Sequence, residues 1–163
     1  MTVIFYISAA VAIISTIMVI TRLNAIHALL YLVVSLLSIA VVFYALGAPF
    51  IAALEVIVYA GAIMVLFVFV MMMLNLGKKA AQQELEWIKP GMYIGPAILA
   101  LILGGEFVYM LALGMPNMVS AGQVGPKEVG MSLFTEYLLG VELAAMLLLA
   151  GLIGAFHLGR KLK

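Results

Sequence analysis

Residues 55–74 read EVIVYAGAIMVLFVFVMMML, and Glu55 is the only charged residue among them. With its flanks, the segment extends from Phe50 to Leu76. At a rise of about 1.5 Å per residue, it can cross a bilayer as a tilted helix. A charge at the bilayer centre costs roughly 2.5–3.5 kcal/mol on insertion scales, and Gly61 lowers the helix propensity. The segment therefore predicts a membrane span whose polar and small residues need a further explanation.

The composition of the whole chain also predicts a membrane protein. Of its 163 residues, 67% are hydrophobic and 9% are charged, and the mean hydropathy is +1.32. A soluble domain carries about 25% charged residues. The long apolar runs, without period-two alternation, predict an all-α integral membrane protein. The first run is too long for a signal-peptide core, so we interpret it as a retained helix.

The residue inventory argues against several kinds of site. The chain has no Cys, which excludes a cysteine-ligated cluster built from this chain. Its two His, His27 and His157, are far apart in sequence, which argues against a metal site. No phosphate-binding Gly-rich loop or nucleophile–base pair is present. We therefore expect no catalytic, cofactor-binding or metal-binding residue in this chain, and a net charge of +1 gives no sign of nucleic-acid binding.

Apolar length predicts five membrane-spanning helices in a single membrane domain of residues 1–163. We place them at about residues 3–21, 28–46, 50–76, 91–113 and 131–158. Gly47 and Pro49 predict a tight turn before the third helix, since Pro costs little in a first helical turn.

The basic residues predict the orientation of the spans. Seven fall on one side of the predicted membrane: Arg22, Lys78, Lys79, Lys89, Arg160, Lys161 and Lys163. Only Lys127 falls on the other side. Because basic residues favour the cytoplasmic side, we expect a periplasmic N-terminus and a cytoplasmic C-terminus.

Four carboxylates fall within the apolar segments: Glu55, Glu106, Glu136 and Glu142. An intramembrane carboxylate can load and release a proton, or it can hydrogen-bond to a neighbouring helix or subunit. We interpret Glu55 as part of a proton relay. For Glu142, which is predicted to lie about 15 Å along the last span, a proton relay and a hydrogen bond to a neighbour both remain open. For Glu106 the hydrogen-bonded reading is favoured, and Glu136 is expected to be near enough to the surface to be solvated.

Glu55 and Tyr59 are four residues apart, so their side chains are expected on one helix face. The Tyr59 hydroxyl could donate a hydrogen bond to Glu55 or carry a proton chain onward. Alternatively, its ring packs and its hydroxyl bonds a backbone carbonyl, which is common. The apolar run from Met64 to Met73 predicts packing against lipid or helices rather than a cofactor site.

Three stretches resemble one family: His27-Ala-Leu-Leu-Tyr-Leu32, Ala53 to Phe69, and Val141 to Gly151. Together they look like subunit J of bacterial NADH–quinone oxidoreductase, respiratory complex I. The resemblance covers nearly the whole chain, and the middle stretch is the most specific.

The resemblance implies a membrane-arm subunit of an H+-translocating enzyme that holds no redox centre of its own. The implied complex uses NADH, FMN, iron–sulfur clusters and a quinone, all bound by other subunits. The implied partners are subunits A, H and K, the antiporter-like subunit N, and the lipid of the bacterial inner membrane.

The resemblance also implies a π-bulge in the third helix, whose conversion to α-helix gates a water path. We expect the bulge at Tyr59, Ala60, Gly61 and Ala62, because Gly tolerates unusual dihedrals and small neighbours let another helix approach. The expected coupling and gate residues are Glu55, Tyr59, Gly61, Met64, Val65 and Phe67, with Glu142 as a further candidate on the proton path.

Three classes of function remain open from the sequence. The first, favoured by the resemblance, is a coupling subunit of a proton-pumping oxidoreductase. The second is a membrane subunit of a related cation antiporter or membrane-bound hydrogenase complex. The third is a purely structural membrane scaffold with incidental carboxylates.

Overall fold

The computed structural model describes the following residues: 2–23, 25–74, 91, 93–112 and 124–160. All regular structure in these ranges is helical, which confirms the predicted all-α class. The chain forms two compact units, residues 1–123 and 124–163. The single membrane domain stays a prediction.

The described part of the first unit contains five α-helices and one π-helix. These are α1 (Thr2–Thr21), α2 (Ala25–Ala45), α3 (Pro49–Leu54), a π-helix (Glu55–Ile63), α4 (Met64–Leu74) and α5 (Ile94–Ala112). The α3, π and α4 pieces follow one another without a break, and we call them the third segment.

Four stretches of the described chain are long and apolar enough to cross a membrane: Thr2–Thr21, Ala25–Ala45, Pro49–Met71 and Leu138–Gly159. A fifth apolar stretch, Ile94–Met110, is shorter. The five-span count and the orientation of the termini stay predictions. Residues 75, 76, 92 and 113 of the predicted spans lie outside the described ranges, as do five of the basic residues used for orientation: Lys78, Lys79, Lys89, Lys161 and Lys163.

The turn between α2 and α3 follows from two residues. Gly47 has a φ of 83°, a left-handed conformation that favours Gly. Its N–H donates to the Tyr44 carbonyl, and the Ala48 N–H donates to the Phe43 carbonyl, each at 3.0 Å, so the last carbonyls of α2 are satisfied. Pro49 then begins α3, where its missing N–H is not needed. The predicted tight turn is confirmed.

Hydroxyl groups help to join α1 and α2. Thr16 and Ser35 share a hydrogen bond of 2.9 Å between their hydroxyls, and Thr16 also donates to the Ala12 carbonyl at 2.8 Å. Ser8, Ser15 and Ser38 are fully buried. Short hydroxyl side chains of this kind let two helices pack closely in an apolar medium.

The core of the first unit lies between α1, α2 and α5. Val11, Val34 and Leu103 form its centre, with one residue from each helix. Nearer the start of α5, Gly95 faces the buried Tyr31 ring so closely that a Cβ on Gly95 would collide with the Tyr31 hydroxyl. At Gly91, by contrast, a Cβ would meet open space.

Replacing Gly95 by Ala should therefore separate α5 from α2. Overpacking of this kind typically costs about 1–3 kcal/mol. We expect less of the subunit in assembled membranes, measured by quantitative blotting. Adding Tyr31→Phe should restore part of the loss, because the hydroxyl is the atom in closest conflict, whereas Gly91→Ala should have little effect. An unchanged level for Gly95→Ala would contradict this packing.

The second unit contains α6 (Pro126–Phe134) and α7 (Leu138–Gly159), separated by a turn at residues 135–137. The sequence predicted one helix over residues 131–158. The turn forms because the Tyr137 N–H donates to the Ser132 carbonyl, five residues back, and the Thr135 hydroxyl bonds the Met131 carbonyl at 2.8 Å. Glu142 therefore lies about 6 Å along α7, not about 15 Å along one continuous helix.

Candidate functional site

The π-helix is the main irregularity of the third segment. It covers Glu55–Ile63, so the four residues expected in the bulge, Tyr59, Ala60, Gly61 and Ala62, all lie within it. At its end the Met64 N–H reaches the Tyr59 carbonyl, five residues back, as well as that of Gly61. π-Helices are rare, because their i→i−5 hydrogen bonds are less favourable than those of an α-helix. Those that do occur are frequently found at functional sites. This segment is therefore the first candidate for a functional role.

Gly61 suits the π-helical geometry because it lacks a Cβ. A Cβ built there would lie 3.2 Å from the carbonyl oxygen of Val56, which is closer than ordinary van der Waals contact. The crowding comes from the backbone of the same helix, so a flexible side chain cannot relieve it. Any larger residue at this position therefore works against the π-helical form.

Glu55 is the first residue of the π-helix and is half-buried. Tyr59 lies four residues later and is exposed. The structure shows no hydrogen bond between them, and the Glu55 carboxylate has no ion-pair or hydrogen-bond partner within the described ranges. A carboxylate and a phenol on an apolar span require polar partners or water. Such partners would have to come from outside the described part of this chain.

The expected gate residues fall into two groups. Met64, at the junction of the π-helix and α4, is 2% exposed and is the largest fully buried side chain described. Val65 and Phe67 are 65% and 52% exposed. A change of helical register would rotate the side chain at the junction and every side chain after it about the helix axis. Met64 is the junction residue and is buried inside the first unit, whereas the Val65 and Phe67 side chains are exposed at its surface.

An apolar cavity of about 610 Å³ lies beside the third segment. Ala52, Ala53 and Val56 line it from the third segment, Val41 from α2 and Leu103 from α5. The cavity is partly open to the outside of the helices and is not an enclosed void. The third segment is therefore not fixed by tight packing on this side, and its side chains have space to move.

Glu142 lies in the second unit, on α7, where none of the residues is buried. The sequence made Glu142 a candidate for the proton path, and the structure gives it no partner among the described residues. Within those residues, no cluster of three or more His, Cys, Asp or Glu side chains could hold a metal ion. The third segment remains the part of the described chain with the most unusual geometry.

One polar contact was not specified by the sequence. The Ser8 hydroxyl of α1 donates to Oε2 of Glu106 in α5 at 2.7 Å, and both residues are buried. The expectation that Glu106 bonds a neighbouring helix is confirmed. Its partner could not be named beforehand, because the two residues are 98 apart in sequence and only the rotation of both helices brings them together.

Comparison with known proteins identifies the family. The family described as NADH-ubiquinone/plastoquinone oxidoreductase chain 6 matches residues 15–158. The chain belongs to this family. It is 56% identical over 159 residues to the NADH-quinone oxidoreductase subunit J of Pseudomonas aeruginosa, which covers 96% of this chain and 95% of that protein.

Two further relatives support the same assignment. The subunit J of Escherichia coli is 56% identical over 158 residues, covering 96% of this chain and 85% of that protein. The subunit J of Buchnera aphidicola subsp. Schizaphis graminum is 48% identical over 160 residues, covering 98% of both chains. The resemblance seen in the sequence is confirmed. The chain is similar to membrane subunits of an enzyme complex, and its several apolar helices are those of a multi-pass membrane protein.

Proposed function

We propose that this chain is a membrane-arm subunit of NADH–quinone oxidoreductase that couples quinone reduction to proton translocation through a switchable third segment. The observation that carries the proposal is the π-helix at Glu55–Ile63, in a span that also holds a carboxylate with no partner among the described residues. Neither feature helps a helix to span lipid, and both have a free-energy cost there. Membership of an oxidoreductase family supports the assignment.

The switch is a change of register. A π-helix holds one more residue than the α-helix that replaces it, so conversion turns all later side chains by about 100°. Val65 and Phe67 would swing into or out of a dry constriction between Glu55 and the inner half of the membrane. The 610 Å³ cavity beside the third segment gives room for this movement. Two forms that differ by a few kcal/mol would both be reachable during turnover.

Glu55, Tyr59 and Glu142 are the proposed proton-path residues of this chain. Glu55 loads and releases the proton, and the Tyr59 hydroxyl extends the path by one turn. The chain itself carries no redox centre in this proposal. NADH, FMN, the iron–sulfur clusters and the quinone are bound by other subunits, so the contribution of this chain is conformational.

The proposed setting is the bacterial inner membrane. The chain would lie between the subunit that forms the quinone site and the antiporter-like subunit N, packed with subunits A and K. Exposed apolar side chains on α4 and α7 support burial against lipid and other subunits. Ile94–Met110 would complete five spans.

The topology gives a direct test of the five-span proposal. Five spans place the two termini on opposite sides, and the basic residues place the C-terminus inside. An alkaline phosphatase fusion after Lys163 should be inactive, and a fluorescent protein fused there should be bright. A phosphatase-active fusion at Lys163, with an inactive fusion in the loop before Pro126, would reverse the topology.

Glu55→Gln tests the proton path. The substitution keeps the size of the side chain and removes its ability to ionise, so we expect a several-fold loss of proton pumping in an assembled complex. Quinone reduction and proton uptake into inverted vesicles would be measured together. Glu128→Gln is the matched control, since Glu128 is exposed at the first turn of α6. Full pumping by Glu55→Gln would leave Glu55 with a structural role only.

A further inference from the structure

The cavity beside the third segment is a cleft between helices. α5 and the third segment both pack against α2, whereas they have few contacts with each other. α2 therefore forms the base of the cleft, and α5 and the third segment form its two walls. We call this 610 Å³ space the α2 cleft.

The walls of the α2 cleft are apolar. None of the described residues that line it carries a charge. Small side chains create much of the space: Ala40 on α2, Ala52 and Ala53 on the third segment, and Ala100 and Gly104 on α5. A cavity with apolar walls stays free of water and binds apolar molecules instead. The chemistry of the walls therefore selects a hydrocarbon group.

The α2 cleft extends along one half of its base helix. On α2 its lining runs from Val34, near the middle of the helix, to Tyr44, next to its last residue. These two residues are about 15 Å apart along the helix axis. The hydrocarbon core of a bilayer is about 30 Å thick, so a single leaflet is about 15 Å deep. The cleft thus has the length of one leaflet.

The two ends of the α2 cleft differ in character. Tyr44 and Pro49 line one end, on either side of the turn between α2 and α3. Tyrosine is enriched at membrane–water interfaces, and a turn between two spans belongs at that level. The opposite end, at Val34, is apolar and lies halfway along a membrane span. This polarity matches a lipid, with its headgroup at the surface and its chain directed inward.

The α2 cleft is continuous with the outer surface of the helices. Val56 and Phe107 line it and are 42% and 56% exposed, whereas Val34 and Leu103, which also line it, are only 5% and 7% exposed. A groove wide enough for another helix, about 10–12 Å across, would leave its deepest residues exposed. The cleft therefore suits a thin, flexible chain that enters from the surrounding lipid.

We propose that the α2 cleft binds one acyl chain of a membrane phospholipid, with the headgroup beside Tyr44 and the chain end near Val34. The site depends on the chain being a multi-pass membrane protein and not on the proposed switch. The third-segment residues that line it, from Pro49 to Val56, all precede Gly61. A fluid acyl chain also yields easily, so it fills the space without fixing the third segment.

Photolabelling of the intact complex tests this site. The complex is reconstituted in phosphatidylethanolamine–phosphatidylglycerol vesicles that contain some phosphatidylethanolamine with a diazirine in the middle of one acyl chain. After irradiation, mass spectrometry should find the label on the cleft residues of α2 and α5, including Val34 or Leu103. Absence of label from both of these buried residues would overturn the proposal.

Two neighbouring glycines of α5 provide a matched pair of variants. Gly104 lines the α2 cleft and Gly105 does not, and a Cβ on either would meet open space. Gly104→Leu should fill the cleft and lower the labelling of α2 several-fold, whereas Gly105→Leu should leave it unchanged. Equal labelling in the two variants would show lipid on the outer surface only. Ala53→Leu fills the cleft from the opposite wall if Gly104→Leu fails to assemble.

Electron cryo-microscopy of the wild-type complex in lipid nanodiscs distinguishes lipid from protein in the α2 cleft. We expect chain-like density between α5 and the third segment, beginning beside Tyr44 and ending near Val34. A protein segment in this position, from this chain or from another subunit, would overturn the proposal.

Discussion

Replacing Gly61 by Val should lower proton pumping about tenfold while leaving the complex assembled. The reason is the 3.2 Å separation between a Cβ at this position and the Val56 carbonyl oxygen in the π-helix. Crowding of this kind costs about 1–3 kcal/mol. Because about 1.4 kcal/mol is a tenfold change in an equilibrium, the π-helical form would become a minor state.

The control separates the register change from a general loss of helix packing. Gly105→Val in α5 adds the same side chain where a Cβ meets open space. It should leave pumping and assembly close to wild type. Gly61→Leu should act like Gly61→Val. Normal pumping by both Gly61 variants would show that turnover does not need the π-helical form.

Expression of the subunit without its partners should give little folded protein. Val65, Phe67 and Phe69 of α4 are exposed, and none of α7 is buried. Lipid can cover their apolar surface, but it offers no partner to Glu55 or Glu142. In the assembled complex we expect neighbouring subunits to supply those partners, so the stability of the chain depends on assembly.

Detergent extraction and size-exclusion chromatography would measure this dependence. Alone, the subunit should be degraded or should elute as aggregate. Expressed with the other membrane-arm subunits, it should elute in one defined peak. A stable, monodisperse monomer that keeps its helical circular dichroism signal on heating would contradict an obligate subunit.

Much of the fold could be predicted because apolar length dominates membrane insertion. The positions of α1 and α2 followed from their runs of apolar residues, and Gly47 with Pro49 gave the turn before α3. The irregular part of the third segment could be placed at Gly61 on sequence grounds together with the family resemblance. The tolerance of Gly for unusual backbone dihedrals is a local property, so it can be recognised from the sequence.

The tertiary pairings could not be predicted in the same way. Ser8 meets Glu106, and Tyr31 meets Gly95, only because three helices adopt particular rotations. A helix that is apolar on all sides has no distinct hydrophobic face, so its sequence pattern does not determine how the helix is rotated about its axis. The turn at residues 135–137 was missed because Leu133 and Phe134 continue the apolar pattern up to it.

Structures of the intact complex at rest and during turnover test the switch most directly. The backbone bond of Met64 reports the register. In the π form its N–H reaches the Tyr59 carbonyl, as in the present structure, and in the α form it would reach Ala60, four residues back. We predict both forms among the states of the working enzyme, with Val65 and Phe67 turned by about 100° between them. A single register after Gly61 in every state of a fully pumping enzyme would contradict the proposal.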